Sequence, residues 1–217
     1  MRKKLLELFS GTHSVGKVAK DLNYDVVSLD LEIGAECPFG SGYVSPHHIQ
    51  EDIMKWDYTV YPPYTFDVIS ASPVCLWWSQ LRYCCKGRHL SSLGRKLTAE
   101  DIENDIIEFG IPMIEKVFEI IEYFQPKHYW IENPQTGRMK EYINDLVPYV
   151  DVDYCMYGLE YKKRTRIWTN IPLEPKTCKK KRHQLQLGHF DGGNKKLQRY
   201  RIPYRLVKEL LLVVSNV

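Results

Sequence analysis

The chain has 217 residues, 44% hydrophobic and 26% charged, which is the composition of a folded domain and excludes a disordered tail. One domain spanning 1–217 is expected, large enough to form a core without disulfides or a structural metal, and its six cysteines are too few and too irregular for a secreted disulfide framework. The formal charge of +3 is modest but uneven, with Lys176, Lys179, Lys180, Lys181 and Arg182 in one stretch and Lys195, Lys196, Arg199, Arg201 and Arg205 further on; charge alone fits phosphate contacts and a solvated surface equally.

At the amino terminus, MRKKLLELF starts like a targeting segment, but Glu7 and a glycine turn interrupt it and no cleavage site follows. A cytosolic protein with reduced thiols and no membrane partner is the expectation. An apolar strand over 5–9 ends at Ser10 and Gly11, a helix follows over 15–22, and a second strand over 25–29 ends at Asp30. Further on, 66–70 is a strand, 98–124 carries an apolar helical repeat, and 129–131 is a strand ending at Glu132. Beyond Pro134 the pattern loosens to strands over 152–156 and 167–168 and a polar loop over 172–196. Repeated αβ units imply an α/β fold with a mostly parallel sheet covered by helices. Ser10 to His13, Asp30, Ser72 to Cys75 and Glu132 to Pro134 all stand just past strand ends, which share one ligand-binding edge in such a sheet.

Gly11, between a strand and a helix, lets backbone N–H groups approach a ligand, or simply relieves a tight turn. Asp30, roughly 20 residues on, is placed to accept hydrogen bonds from a ribose diol. Asp52 is either a contact to an adenine amino group or an ordinary turn residue. His13 stands where the second glycine of a dinucleotide fingerprint would lie, and no P-loop lysine is present, so NAD and ATP are disfavoured.

Ser72-Pro73-Val74-Cys75-Leu76-Trp77-Trp78-Ser79 resembles the nucleophile segment of the DNA cytosine-5 methyltransferase family, in particular its short phage-type and virus-type members. In family order, Leu8-Phe9-Ser10-Gly11-Thr12 resembles the cofactor turn and Ile131-Glu132-Asn133-Pro134 the glutamate-asparagine motif. Lys162-Lys163-Arg164-Thr165-Arg166 resembles the paired-arginine motif, and Arg199-Tyr200-Arg201-Ile202-Pro203 with Leu206 resembles the segment supporting target recognition. The resemblance implies a Rossmann-like S-adenosylmethionine-dependent methyltransferase fold, with Phe9, Ser10, Gly11, Thr12, Asp30, Asp52 and Pro73 at the cofactor. It implies Cys75 as nucleophile, Glu132 on the base and Arg166 in support, acting on a flipped cytosine in DNA; RNA stays open as substrate. A thiolate suits addition at C6, and a carboxyl suits the charge that develops at N3.

Several positions depart from the family pattern. Val74 replaces the usual proline before the cysteine, Leu76 and Lys162 replace glutamines, and His13 replaces a glycine. The target-recognition region is reduced to a basic stretch at about 171–198, so a protein partner supplying recognition is an expectation. A catalytically weak or inactive relative that binds nucleic acid or a protein is the alternative reading. For a viral chain the location becomes host cytoplasm or nucleus.

If 162–168 is extended, Arg164 and Arg166 share one face while Thr165 and Ile167 face the core. Arg166 then suits the base or Glu132, and Arg164 a phosphate or loop. Lys162, Lys163, Lys180, Lys181, Arg182 and Arg199 are the expected nucleic-acid contacts. Cys155, Cys178, His183 and His189 are the candidate metal ligands, but no C-x-x-C pair anchors them and no metal is expected. Trp77 and Trp78 are divided between stacking on a ligand and completing the core.

Overall fold

The computed structural model describes residues 2–32, 45–183, 185 and 195–215. The first β-α-β unit consists of β1 (Lys4–Leu8), α1 (Ser14–Asp21) and β2 (Asp25–Asp30), followed by β3 (His47–Gln50) and β4 (Val68–Ala71). A short helix α2 (Gln80–Cys84) and a hairpin of β5 (His89–Leu90) and β6 (Arg95–Lys96) precede α3 (Ala99–Asp105). A π-helical turn, Ile106–Gly110, joins α3 to α4 (Ile111–Phe124). There follow β7 (His128–Pro134), α5 (Lys140–Ile143), β8 (Tyr149–Asp153), β9 (Arg164–Thr169), α6 (Lys195–Tyr200) and α7 (Tyr204–Ser215).

Among the described residues, seven strands form one sheet in the order β3-β2-β1-β4-β7-β9-β8, parallel from β3 through β7, with β9 antiparallel to both neighbours. Consecutive residues on a strand point to opposite faces, and both faces here are apolar. Leu5, Val68, Trp130 and Ile167 join a core roofed by α1 and α7. Leu6, Ile69, Ile131 and Trp168 join a second core under α4. Doubly covered strands of this kind read as continuous apolar runs.

Three elements depart from the sequence expectation. The repeat over 98–124 is broken by the π turn, where Gly110 lies against Trp78: a Cβ on Gly110 would stand 2.9 Å from the indole Cζ2. The strand expected over 152–156 ends at Asp153, and Tyr154–Tyr157 turns as a 3-10 helix closed by Gly158 at φ 98°. In that turn the Tyr154 side chain is fully buried. The apolar helix α7, whose Leu206, Val207, Leu210, Leu211 and Val214 are buried, completes the first core and has no counterpart in the elements expected from sequence. Among the described residues no helix is long and apolar enough to cross a membrane.

Candidate active site

Between β1 and α1 the chain runs through Phe9 at φ 59°, Gly11 at φ 45° and His13 at φ 50°, three left-handed positions in five residues. Such a path is uncommon for residues with a Cβ, so the surroundings must hold it. His13 is fully buried, accepts the first helical hydrogen bond from Lys17 N at 3.0 Å, and makes no side-chain cap. The capping falls to Glu7, buried in β1, whose Oε1 accepts from Val15 N and Gly16 N, both at 3.1 Å, and whose Oε2 accepts from Ser28 Oγ at 2.9 Å. A carboxylate at a helix N-terminus satisfies orphan donors and meets the positive end of the dipole. Sequence reasoning missed this role, because the capping residue lies on the preceding strand and not at the helix start.

At the end of β2, Asp30 Oδ2 accepts from Gly11 N at 2.8 Å and Oδ1 from Glu32 N at 2.9 Å. Each carboxylate oxygen has two acceptor sites, so an aimed carboxylate keeps one on either oxygen for a pair of hydroxyls. Asp52 lies two residues beyond β3, where its Oδ1 caps a turn through Met54 N at 3.0 Å. The turn role and a place on the cavity coexist.

The loop after β4 carries Cys75, half-buried, with Val74 and Leu76 exposed beside it. Asn133 Nδ2 donates to Pro73 O at 2.8 Å in the interior and so ties this loop to β7. On β7, Glu132 is buried, and its Oε1 accepts from Tyr154 Oη at 2.7 Å and from Lys163 Nζ at 3.3 Å. Burial pushes the Cys75 thiol above the ordinary cysteine range, Lys163 and Arg199 pull it down, and the Glu132 carboxylate pushes it up. Trp78 is core, while Trp77 stacks on Phe109 with ring centroids 4.8 Å apart.

One cavity of about 570 Å³ gathers Phe9, Ser10, Gly11, Thr12, Asp30, Asp52, Pro73, Cys75 and Glu132, and adds Lys163, Tyr200 and Ile202. That volume lies within the usual range for small-molecule sites. Among the described residues of its wall, Glu7, Asp30, Glu32, Glu51, Asp52 and Glu132 face the single basic residue Lys163, a balance that suits a cationic ligand and opposes a polyphosphate. The hydroxyls of Ser10 and Ser70, also in the wall, are buried without a partner among the described residues. The donor and acceptor set therefore fits a nucleoside joined to a sulfonium.

The paired arginines stand elsewhere. Both share one face of β9, as an extended segment requires, but the cross-strand residues on β8 are acids: Asp151 opposes Arg166 and Asp153 opposes Arg164. Arg166 donates to Asp151 through Nε at 2.7 Å and Nη2 at 2.8 Å, reaches Asn144 Oδ1 at 3.2 Å, and covers the Tyr149 ring at 3.8 Å. Arg164 is held by Asp153 through Nε at 3.0 Å and Nη2 at 2.7 Å. Neither lines the cavity; Lys163 supplies the positive charge at Cys75 and Glu132 instead. Lys162 is turned to Cys178 O at 2.8 Å, while Lys180, Lys181, Arg182 and Arg199 are exposed. Of the candidate metal ligands, Cys155, Cys178 and His183 come together, and His189 lies outside the described residues.

A parallel sheet with one antiparallel strand inserted beside its edge, carrying a cavity at the carboxyl ends of its strands, defines the Rossmann-like methyltransferase class of fold. Over 231 aligned residues the chain is 38% identical to the probable DNA (cytosine-5)-methyltransferase of Frog virus 3 (isolate Goorha), covering 96% of this chain and 98% of that protein. The chain belongs to the DNA (cytosine-5)-methyltransferase family. Similar solved structures include a mutant of Spodoptera frugiperda DNMT2, 15% identical with a TM-score of 0.47, covering 85% of this chain and 54% of that one. Another is a putative DNA modification methyltransferase encoded within an E. coli prophage, 15% identical with a TM-score of 0.45, covering 77% of this chain and 46% of that one. The chain thus spans about half the length of these solved structures. No protein-family model matches it.

Proposed function

We propose that this protein methylates C5 of cytosine in DNA, using S-adenosylmethionine and a transient bond between Cys75 and the base. The observation that carries the reading is the shared cavity: Asp30 and Asp52, on the β2 and β3 side, line the same space as Cys75, Glu132 and Lys163. Phe9 to Thr12, Asp30, Asp52 and Pro73 would hold S-adenosylmethionine, which when bound supplies an electrophilic methyl group.

C5 of cytosine is unreactive until a nucleophile adds at C6, and the thiolate is the protein's best soft nucleophile. Addition of Cys75 Sγ to C6 pushes electron density onto C5 and N3, and a proton held on Glu132 moves to N3 as charge develops there. Tyr154 and Lys163 both bond Oε1 of Glu132, and Oε2 has no partner among the described residues. A proton on Glu132 also removes the carboxylate that opposes Cys75 ionisation. Lys163 favours the thiolate directly. When the substituted C5 loses its hydrogen as a proton to water, the pair left behind restores the C5–C6 double bond, Cys75 departs from C6 with the S–C pair, and the N3 proton returns to Glu132. The exposed Lys180, Lys181, Arg182 and Arg199 would meet DNA phosphates.

A duplex carrying 5-fluorocytosine cannot release the C5 substituent as a proton, so incubation with it and S-adenosylmethionine should yield a denaturation-stable protein–DNA adduct. Cys75→Ser should yield none. A folded wild-type chain that binds both ligands and forms no adduct would return the protein to a binding role without chemistry.

A further inference from the structure

Cys155 stands in the 3-10 turn that follows β8, and Cys178 lies in the segment beyond β9. Asp153 stitches the two together: its N–H donates to Lys176 O at 2.8 Å and its Oδ2 accepts from Cys178 N at 2.6 Å. His183 folds back so that its Nε2 is 3.6 Å from Cys178 Sγ. The two sulfurs and a ring nitrogen all lie within 4.8 Å of one another, on residues that are buried or half-buried.

From these contacts we propose that Cys155, Cys178 and His183 form a binding site for a soft divalent cation, zinc above all, lying apart from the methyl-transfer cavity. Tetrahedral zinc, with bonds of about 2.3 Å to sulfur and about 2.0 Å to nitrogen, puts sulfur and nitrogen about 3.5 Å apart and two sulfurs about 3.8 Å apart. The Cys178–His183 pair already has that separation, and the other two pairs, each within 4.8 Å, need to close by no more than about 1.3 Å to reach theirs. Two thiolates and a neutral imidazole cancel the charge of the cation, so binding adds no net charge beside Lys179, Lys180, Lys181 and Arg182, and it releases two thiol protons. Lys180 N, 3.4 Å from Cys178 Sγ, is set to donate to a ligating thiolate, the outer contact that orients such ligands. Water takes the fourth position.

The segment 170–183 has no helix or strand of its own, and a cation there supplies the anchorage that regular structure does not. It would hold the basic run from Lys179 to Arg182 against the end of β8. It would also fix the turn in which Tyr154, next to Cys155, reaches Glu132.

The test is metal content together with thiol protection, neither of which depends on methyl transfer. The full chain, purified in zinc without chelator, should carry about one zinc per chain by plasma mass spectrometry, the stoichiometry of a single four-coordinate site. Cys155 and Cys178 should resist iodoacetamide until a chelator is added, as read by peptide mass spectrometry. Cobalt(II) in place of zinc should give the sulfur-to-metal absorption and strong visible bands of a tetrahedral site. Cys178→Ser should lose the metal, and so should His183→Asn, a change on a half-exposed loop that leaves the core intact. Alkylation of Cys178 indifferent to chelator would overturn the site, whether the two thiols prove free or joined as a disulfide. Metal content unchanged in both variants would overturn it equally.

Discussion

Cys75 stands between opposed influences, and their balance sets a measurable pH dependence. Burial pushes the pH at which its thiol ionises above the ordinary cysteine range, Lys163 lowers it and Glu132 raises it. Alkylation of Cys75 should therefore be slow at neutral pH and climb as pH passes the ordinary thiol range. Lys163→Ala should move that climb to higher pH and Glu132→Gln to lower pH. Site-resolved alkylation rates across pH provide the check, and coincident profiles for the two variants would remove both residues from the thiol's electrostatics. Arg166 makes a contrasting case, because its partners Asp151, Asn144 and Tyr149 all lie outside the cavity. Arg166→Ala should cost about 2–3 kcal/mol of stability, the worth of charge-assisted hydrogen bonds to a partly buried carboxylate. A double-mutant cycle with Asp151→Asn should return most of that as coupling energy. Catalytic loss in the single variant at unchanged urea midpoint would show instead that Arg166 reaches substrate.

At the scale of elements, two contacts between neighbouring segments shape the site. Glu7 on β1 supplies the cap that α1 lacks, so Glu7→Gln, which keeps shape but loses charge and one acceptor, should destabilise the fold by about 2 kcal/mol. Urea denaturation with an unchanged m-value would measure it, and a change within error would show that His13 and water suffice at that helix end. Gly110 in the π turn is the second contact. A methyl group there meets the indole of Trp78, which is itself anchored by Trp78 N to Cys75 O at 3.2 Å and Arg138 N to Trp78 O at 2.8 Å. Gly110→Ala should cost about 1–3 kcal/mol through overpacking, and the displaced Trp78 should also change the rate of Cys75 alkylation. A stable variant with native alkylation kinetics would mean that α4 shifts to make room.

For the whole molecule, the first core depends on the last helix. Leu206, Val207, Leu210, Leu211 and Val214 of α7 are buried against the sheet and α1. At about 1.5–3 kcal/mol for each such side chain, α7 contributes on the order of 10 kcal/mol of apolar burial, comparable with the entire stability of an ordinary domain at about 5–15 kcal/mol. A chain ending at Pro203 should fail to fold cooperatively, as judged by loss of the near-ultraviolet circular dichroism of the buried tryptophans. A folded, cofactor-binding truncation would show that α1 and β1 are closed by other contacts.

The parallel β-α-β order was legible in the sequence because a doubly covered strand must be a continuous apolar run and a turn between strand and helix needs Gly11. Asp30, Cys75 and Glu132 were legible as one edge for the same reason: strands running in one direction end on one side, so residues just past those ends must meet. The partners of charged side chains were not legible. Arg166 was read toward the base because its face of the strand follows from alternation, but which carboxylates share that face depends on the register of β8, where Asp151 and Asp153 stand opposite the two arginines. The cap by Glu7, the lysine beside Cys75 and the meeting of Cys155, Cys178 and His183 were hidden likewise. Each joins residues from different segments, and only the folded chain sets the distances on which hydrogen bonding, ion pairing and metal ligation depend.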